Sequence, residues 1–193
     1  MTLVLASGSA SRARLLTEAG VGFVQDPADI DEAALVRPGE TAPSVARTLA
    51  EEKAKFVSRR HPGKLVLGGD SVLDFAGELI SKCPDRNVAR ALLSRLSGKA
   101  HAIVSAAALA RDGDVVWRHV GEGRLFMREL SPDFLDAYLE AECPAILASV
   151  GCYHLEGRGA QLFARIEGDY FSILGLPLLA VLAGLREQGA LKT

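Results

Sequence analysis

The chain has 193 residues, with 22 lysines and arginines against 24 acids and a formal net charge of −2. With 49% apolar and 24% charged residues the composition is that of a folded globular chain. It excludes a disordered polymer and offers no overall positive field for a nucleic acid or an anionic membrane surface, so any anion site has to be a local cluster.

The length suits one domain over residues 1–193. Leu3 to Leu5 predicts a short buried strand, followed by the small-residue loop Ala6 to Arg12 and a helix that carries Leu15 and Leu16 inward and stops at Gly20. Gly22 to Gln25 predicts a second strand, and Asp26 to Glu32 an acidic loop. Pro38, Gly39, Thr41 and Pro43 lead into a long helix on which Val45, Leu49 and Phe56 recur at helical spacing, with Lys53 on the same inward stripe. Leu65 to Leu67 reads as a buried strand ending in Gly68-Gly69-Asp70-Ser71. Val72 to Ile80 reads as a hairpin turning near Ala76-Gly77, with Lys82 at its far end.

Asp85 caps the next helix, with Val88, Leu92 and Leu96 on one face and Gly98 as its stop. His101 to Ala110 and Val115 to Arg128 are strands joined by the polar turn Arg111 to Asp114. Ser131-Pro132 opens a helix that packs through Phe134, Leu135 and Tyr138 and ends before Pro144. Gln161 to Ile166 and Tyr170 to Leu174 read as a hairpin around Glu167-Gly168-Asp169, and Leu178 to Glu187 as the last helix. Strands and helices interleave without strict alternation, which predicts an α/β fold with a mixed sheet and flanking helices.

Cysteines at 83, 143 and 152 form neither a disulfide framework nor a zinc spacing, and the first residues carry no basic region before their apolar run. The longest uncharged stretch, Phe171 to Leu185, is broken by Gly175, Pro177 and Gly184. A cytoplasmic protein without a membrane span is expected. The histidines at 61, 101, 119 and 154 have no ligand-like pairing, and Cys152 and Trp117 read as packing residues.

Four places carry candidate chemistry. The strand-to-helix loop Ser7-Gly8-Ser9 aims free N–H groups at one point, and Arg12 adds a bidentate donor shaped for phosphate; the same pattern also fits a capped helix with a solvated arginine. Asp70, after a strand, stands where α/β sheets collect ligands, or else is a turn residue bonding its own backbone. Asp70 and Glu32 together suit Mg²⁺ or Mn²⁺, with phosphate oxygens and water completing the shell. Lys53 on an apolar stripe calls for an anion, unless its charge snorkels out, and Lys82 alone would be an ordinary surface lysine.

Leu-Ala-Ser-Gly-Ser-x-x-Arg at 5–12, Asp-Glu at 31–32, Glu-Lys-Ala at 52–54 and Gly-x-Asp-Ser at 68–71, in this order and spacing, resemble the Maf family. Leu-Ser-Gly at 96–98, Glu-Gly-x-Gly at 156–159, Gly-Asp-Tyr at 168–170 and Gly-Leu-Pro-Leu at 175–178 extend the resemblance to nearly the whole chain. It implies a nucleoside triphosphate pyrophosphatase that yields a monophosphate and pyrophosphate with a divalent metal. It also implies an inosine-triphosphatase-like elongated mixed sheet, two lobes around a nucleotide cleft, and a homodimer. By position, Asp70 matches the proton acceptor, Ser9 and Arg12 the phosphate-contacting pair, Glu32 the acidic loop residue, and Lys53 and Lys82 the cleft lysines. Asp70 and Glu32 are the implied metal ligands.

The family's subgroups differ at three positions, here Ser11, Ser71 and Glu156. Ser11 and Ser71 match neither the pyrimidine nor the 7-methyl-GTP subgroup, whereas Glu156 matches the latter, and a carboxylate accepts hydrogen bonds from a guanine edge. That points to a modified purine nucleotide. Ala10 replaces a usual proline, and Ser81-Lys82-Cys83-Pro84 replaces Gly-Lys-Pro, which puts the placement of Lys82 in question. The competing readings are a nucleotide-binding regulator of septum formation with incidental turnover, and a phosphatase that removes the terminal phosphate.

Overall fold

The computed structural model describes residues 2–192 and contains one seven-stranded mixed sheet. Its strands are β1 (Leu3–Leu5), β2 (Phe23–Gln25), β3 (Val66–Phe75), β4 (Glu78–Ile80), β5 (Ala100–Arg111), β6 (Asp114–Met127) and β7 (Phe163–Gly168). The helices are α1 (Ala10–Glu18), α2 (Glu32–Leu35), α3 (Ala42–Ser58), α4 (Arg86–Leu96), α5 (Pro132–Glu142), α6 (Tyr170–Ile173) and α7 (Leu178–Glu187). The strand order is β2-β1-β3-β5-β6-β7, with β4 also on β3. β1 pairs in parallel with both β2 and β3; every other pairing is antiparallel.

β5 holds one edge of β3 continuously from Val66 to Asp74. The other edge is shared: β1 pairs with Val66 and Leu67, and β4 with Leu73 to Phe75. Residues 68–72 lie in the gap between these two neighbours. The sheet therefore has a notch, and it divides the molecule into a β1/β2 end and a β4/β7 end.

Each end has its own apolar core. At the first end Leu3, Leu5, Leu15, Leu16, Leu67 and Val181 pack α1 and α7 on one face of the sheet, and Val45, Leu49, Ala50, Val104 and Ala108 pack α3 on the other. At the far end Leu73, Leu92, Leu96, Leu125, Leu139 and Ile146 join α4 and α5 to the sheet. Among the described residues no helix is long and apolar enough to cross a membrane.

Most elements follow the expectations, and each exception has its own physical cause. Gly68 to Ser71 do not end a strand: β3 runs straight through them because β5 bonds it residue by residue, a tertiary pairing that outweighs the local turn preference of two glycines. Tyr170 to Leu174 is no hairpin arm; Asp169 accepts from the N–H groups of Phe171 and Ser172 and starts α6. Glu32 opens the short helix α2, capped by Asp31, within what reads as loop. Phe56 is 36% exposed beside Arg60, and Val88 is 43% exposed, so neither belongs to its inward stripe. The inward face of α3 is Val45, Leu49 and Lys53 with the alanines beside them, and that of α4 is Ala89, Leu92, Leu93 and Leu96.

His101 on β5 is 3% exposed; its Nε2 meets the Tyr153 hydroxyl at 2.7 Å, and its Nδ1 is buried without a partner among the described residues. Burial pushes the imidazole down to about 4. The unfolded ring titrates near ~6.5, so this contribution to stability is complete above that value and is lost as pH falls toward the folded one, about 3 kcal/mol in all. Urea midpoints measured from pH 7 down to pH 4 should fall. The His101→Phe/Tyr153→Phe double variant, which removes both partners, should lose that share of the slope; identical slopes would refute the assignment.

Candidate functional site

The notch is built by two adjacent glycines that leave room on opposite faces of β3. A Cβ at Gly68 would lie 2.2 Å from the Ala50 carbonyl oxygen and 2.7 Å from the Ala54 nitrogen, so α3 packs directly on the strand there. A Cβ at Gly69 would lie 3.1 Å from Arg12 Nε, so the arginine of α1 crosses the other face at the same level. Side chains alternate along a strand. Asp70 accordingly faces α3, and Ser71 faces α1 and α6.

Lys53 lies over Asp70. Its Nζ donates to Asp70 Oδ1 at 2.7 Å and reaches Glu32 Oε1 at 2.7 Å. The lysine and aspartate side chains are 10% and 11% exposed, while Glu32, at the start of α2, is 53% exposed. The ammonium on the apolar stripe thus has two anionic partners and does not snorkel out. Asp70 bonds across the fold and not to a turn of its own. Burial pushes the Asp70 carboxyl above its usual range, opposed chiefly by Lys53 and then by Arg12. An ammonium has three donors, and two are spent here, which leaves one N–H of Lys53 for a further anion.

Arg12 is fixed from three sides. Its Nε donates to the Gly175 carbonyl at 2.8 Å, NH1 to Ser7 Oγ at 3.1 Å and NH2 to Ser71 Oγ at 2.9 Å. Burial lowers its pKa, and Asp70 and Glu32 counter that shift. A guanidinium starts from so high a value that it remains charged. Ser9 caps α1 by accepting from the Arg12 N–H, and the first-turn N–H groups of Ala10 and Ser11 point outward without an intrahelical acceptor. Ala10 occupies the first helical position, where a missing proline costs no hydrogen bond.

These groups line one open cleft of about 1580 Å³. It is larger than the roughly 300–1,000 Å³ of ordinary small-ligand pockets, so the charged cluster occupies only part of it. Ser9, Ser11, Arg12, Glu32, Lys53, Asp70, Ser71 and Lys82 all contribute to its wall. Lys82 is exposed and forms no ion pair among the described residues. The neighbouring Cys83 is 5% exposed and sits in the far core with Cys152, so the altered loop anchors itself through the cysteine and turns the lysine to the cleft. Glu156 is the predicted residue that lies off the wall; it pairs with Arg14, which is three residues along α1 from Ser11.

Asp70 and Glu32 converge on one nitrogen, and each keeps a second oxygen without a hydrogen-bond partner among the described residues. Hard carboxylate oxygens of this kind suit Mg²⁺ or Mn²⁺. No third His, Cys, Asp or Glu joins them among the described residues. This donor set fits a cation whose shell is completed by substrate phosphates and water, as Mg²⁺ sites commonly are. What local reading missed is the Ser7 hydroxyl as a partner of Arg12, Ser105 and the Gly175 carbonyl. Ser105 is detectable as a lone hydroxyl in the alanine-rich run of β5, whereas a backbone carbonyl leaves no trace in side-chain patterns.

A family model described as "Maf-like protein" matches residues 2–188. The chain is 49% identical to a 7-methyl-GTP pyrophosphatase of Mesorhizobium japonicum, over 98% of this chain and 97% of that one. It is 48% identical to a nucleoside triphosphate pyrophosphatase of Paramagnetospirillum magneticum, over 97% and 99% of the two chains. A 7-methyl-GTP pyrophosphatase of Brucella abortus is 46% identical over 96% of each. At this level of identity the names divide, so overall similarity does not select the base.

Replacing Lys53 by Gln removes the main influence holding the Asp70 carboxyl down and leaves burial and Glu32 to push it up. In metal-free protein, the Asp70 carboxyl followed by carbon NMR should titrate at higher pH in Lys53→Gln than in the parent. An unchanged or lower value would show that Lys53 does not govern this acid.

Proposed function

The chain belongs to the family of Maf-like proteins, and from that premise we propose that it is a nucleoside triphosphate pyrophosphatase. The observation that carries this reading is the pairing of Asp70 and Glu32 on Lys53 across one cleft from Arg12 and the free N–H groups of α1. Simple anion binding needs the cations alone. A buried carboxylate with its pKa raised, held at the same place, supplies a base.

In this mechanism the triphosphate tail lies against Arg12, the first turn of α1 and the remaining N–H of Lys53, with Lys82 on the opposite wall. Asp70 accepts a proton from the water that attacks the α phosphorus. The bond from that phosphorus to the bridging oxygen breaks, its electron pair leaves on pyrophosphate, and the nucleoside monophosphate remains. Arg12, Lys53 and Lys82 stabilise the charge that gathers on the departing oxygens. A divalent cation held by Asp70 and Glu32 would screen the phosphate charge.

Ser11, on the cleft wall, and Glu156, off the wall but paired with Arg14 three residues along α1 from Ser11, are assigned together to the base as one rim of the site. A carboxylate at that rim favours a base edge rich in N–H donors, consistent with 7-methyl-GTP or another modified purine nucleotide. The glutamate is already paired with Arg14, so a base has to compete for it, and this assignment is separable from the phosphate chemistry.

A product-resolved screen of canonical and modified nucleoside triphosphates with Mg²⁺ or Mn²⁺ tests the reading. Monophosphate and pyrophosphate should appear in equal amounts, and Asp70→Asn should lose about 100-fold or more in rate, the usual worth of a positioned base. Orthophosphate as the first product would replace the reaction by removal of the terminal phosphate. Binding without any product would favour the regulator.

A further inference from the structure

Ser71 is one of the positions at which base preference varies between subgroups, yet its hydroxyl is occupied inside the protein. It accepts from Arg12 NH2 at 2.9 Å and lies 2.8 Å from Ser105 Oγ. The two serines are direct partners in the β3–β5 register, so their hydroxyls stand side by side on one face of the sheet. Ser105 is fully buried, and its hydroxyl donates to the Ser172 carbonyl at 2.6 Å.

The short contacts in this chain set the direction in which its hydrogens run. A guanidinium only donates, so Ser71 Oγ accepts from Arg12. A carbonyl only accepts, so the single hydrogen of Ser105 is spent on Ser172; of the two acceptors within reach of the Ser71 hydroxyl, the Gly175 carbonyl at 3.3 Å and Ser105 Oγ at 2.8 Å, the nearer one, Ser105, takes its hydrogen. The sequence of donors is Arg12, Ser71, Ser105 and then the backbone of α6, and successive bonds of one polarity strengthen each other in a buried setting. The same turn also supplies the Gly175 carbonyl that holds Arg12 Nε. It can sit this close because Gly121 on β6 has no side chain: a Cβ there would lie 2.2 Å from Ser172 Oγ.

We propose that Ser105, acting through Ser71, is a positioning residue for Arg12: it orients the guanidinium so that its unspent N–H groups face the phosphates. Arg12 has five N–H donors, and Gly175, Ser7 and Ser71 take three. One N–H remains on each terminal nitrogen, a spacing matched to two phosphate oxygens, provided the plane of the guanidinium is held. Ser105 is not itself part of the cleft wall and reaches it through Ser71. Ser71 on this account serves the phosphate end of the site rather than the base. The proposal rests on the pyrophosphatase reading for its kinetic consequence and on geometry alone for its binding consequence.

The experiment compares Ser105→Ala, Ser71→Ala and their double variant, each in the parent and in an Arg12→Lys background, with thermal unfolding recorded to show that each is folded. For the preferred triphosphate, Ser105→Ala should lower kcat/KM about 10-fold. The double variant should lose no more than the larger single loss, and in the Arg12→Lys background Ser105→Ala should change little, because a lysine has no plane to orient. Inorganic pyrophosphate titrated by calorimetry should show the same pattern of weakened binding. If the parent turns over no nucleotide but the pyrophosphate pattern holds, the pyrophosphatase reading falls and the positioning role stands. Equal losses in the parent and in the Arg12→Lys background, additive losses in the double variant, or full affinity in folded Ser105→Ala would overturn the positioning role.

Discussion

The interrupted edge of β3 is the constraint on which the site depends. A strand bonded along one edge by β5 and on the other by two short strands that do not meet is held rigid, yet it is open for five residues. Alternation then does the sorting: Asp70 turns to α3 and its lysine, and Ser71 turns to α1 and its arginine. A one-residue slip in the β3–β5 register would exchange these faces, taking Asp70 from Lys53 and Ser71 from Ser105. Nine consecutive pairs with β5 make such a slip costly. The long pairing is thus a requirement of the site as well as of the sheet.

Burying charge is unfavourable unless partners compensate, and three of the charged groups here are nearly out of water. Asp70 and Glu32 answer Lys53 directly and lend support to Arg12, so the inner cluster is close to neutral before a ligand arrives. Replacing it by apolar residues of similar volume would relieve the fold of these desolvation costs. On the proposed reading a triphosphate entering the cleft would offset that cost, because the partners already line it and need no reorganisation. The exposed Lys82, contributed from beyond the notch, adds the positive charge that the inner cluster lacks.

Much of this was legible in the sequence, for reasons specific to each residue. Lys53 declared itself by standing on an apolar stripe, Arg12 by following a small-residue loop, and the helix starts by Asp85 and Ser131. Asp70 reads from the sequence as following a strand, whereas it lies within one, and the crevice at its level comes from a missing neighbour instead of a strand end. Phe56 and Val88 show the limit of periodicity, which fixes the helix but not which edge of the stripe meets solvent. Glu156 could be matched by position, but its pairing with Arg14 depends on how the turn at 155–157 meets α1, a contact between residues 142 positions apart. No local pattern carries information of that kind.

The Lys82 segment shows how a departure in sequence can leave geometry in place. Cys83 lengthens the loop after β4, which by itself would be expected to loosen the lysine beside it. Its thiol instead enters the far core beside Cys152, among Leu92, Leu93 and Leu96, so the added residue acts as an anchor. Neighbouring residues in an extended segment point to opposite sides, and with the cysteine fixed inward the lysine faces the cleft. Cations thus reach the cleft from both ends of the sheet, Arg12 and Lys53 from the β1 end and Lys82 from the β4 end. Their separation is set by β3 and β5, the two strands that run past the notch without a break, so that on the proposed reading the sheet itself would be the ruler for the length of polyphosphate gripped.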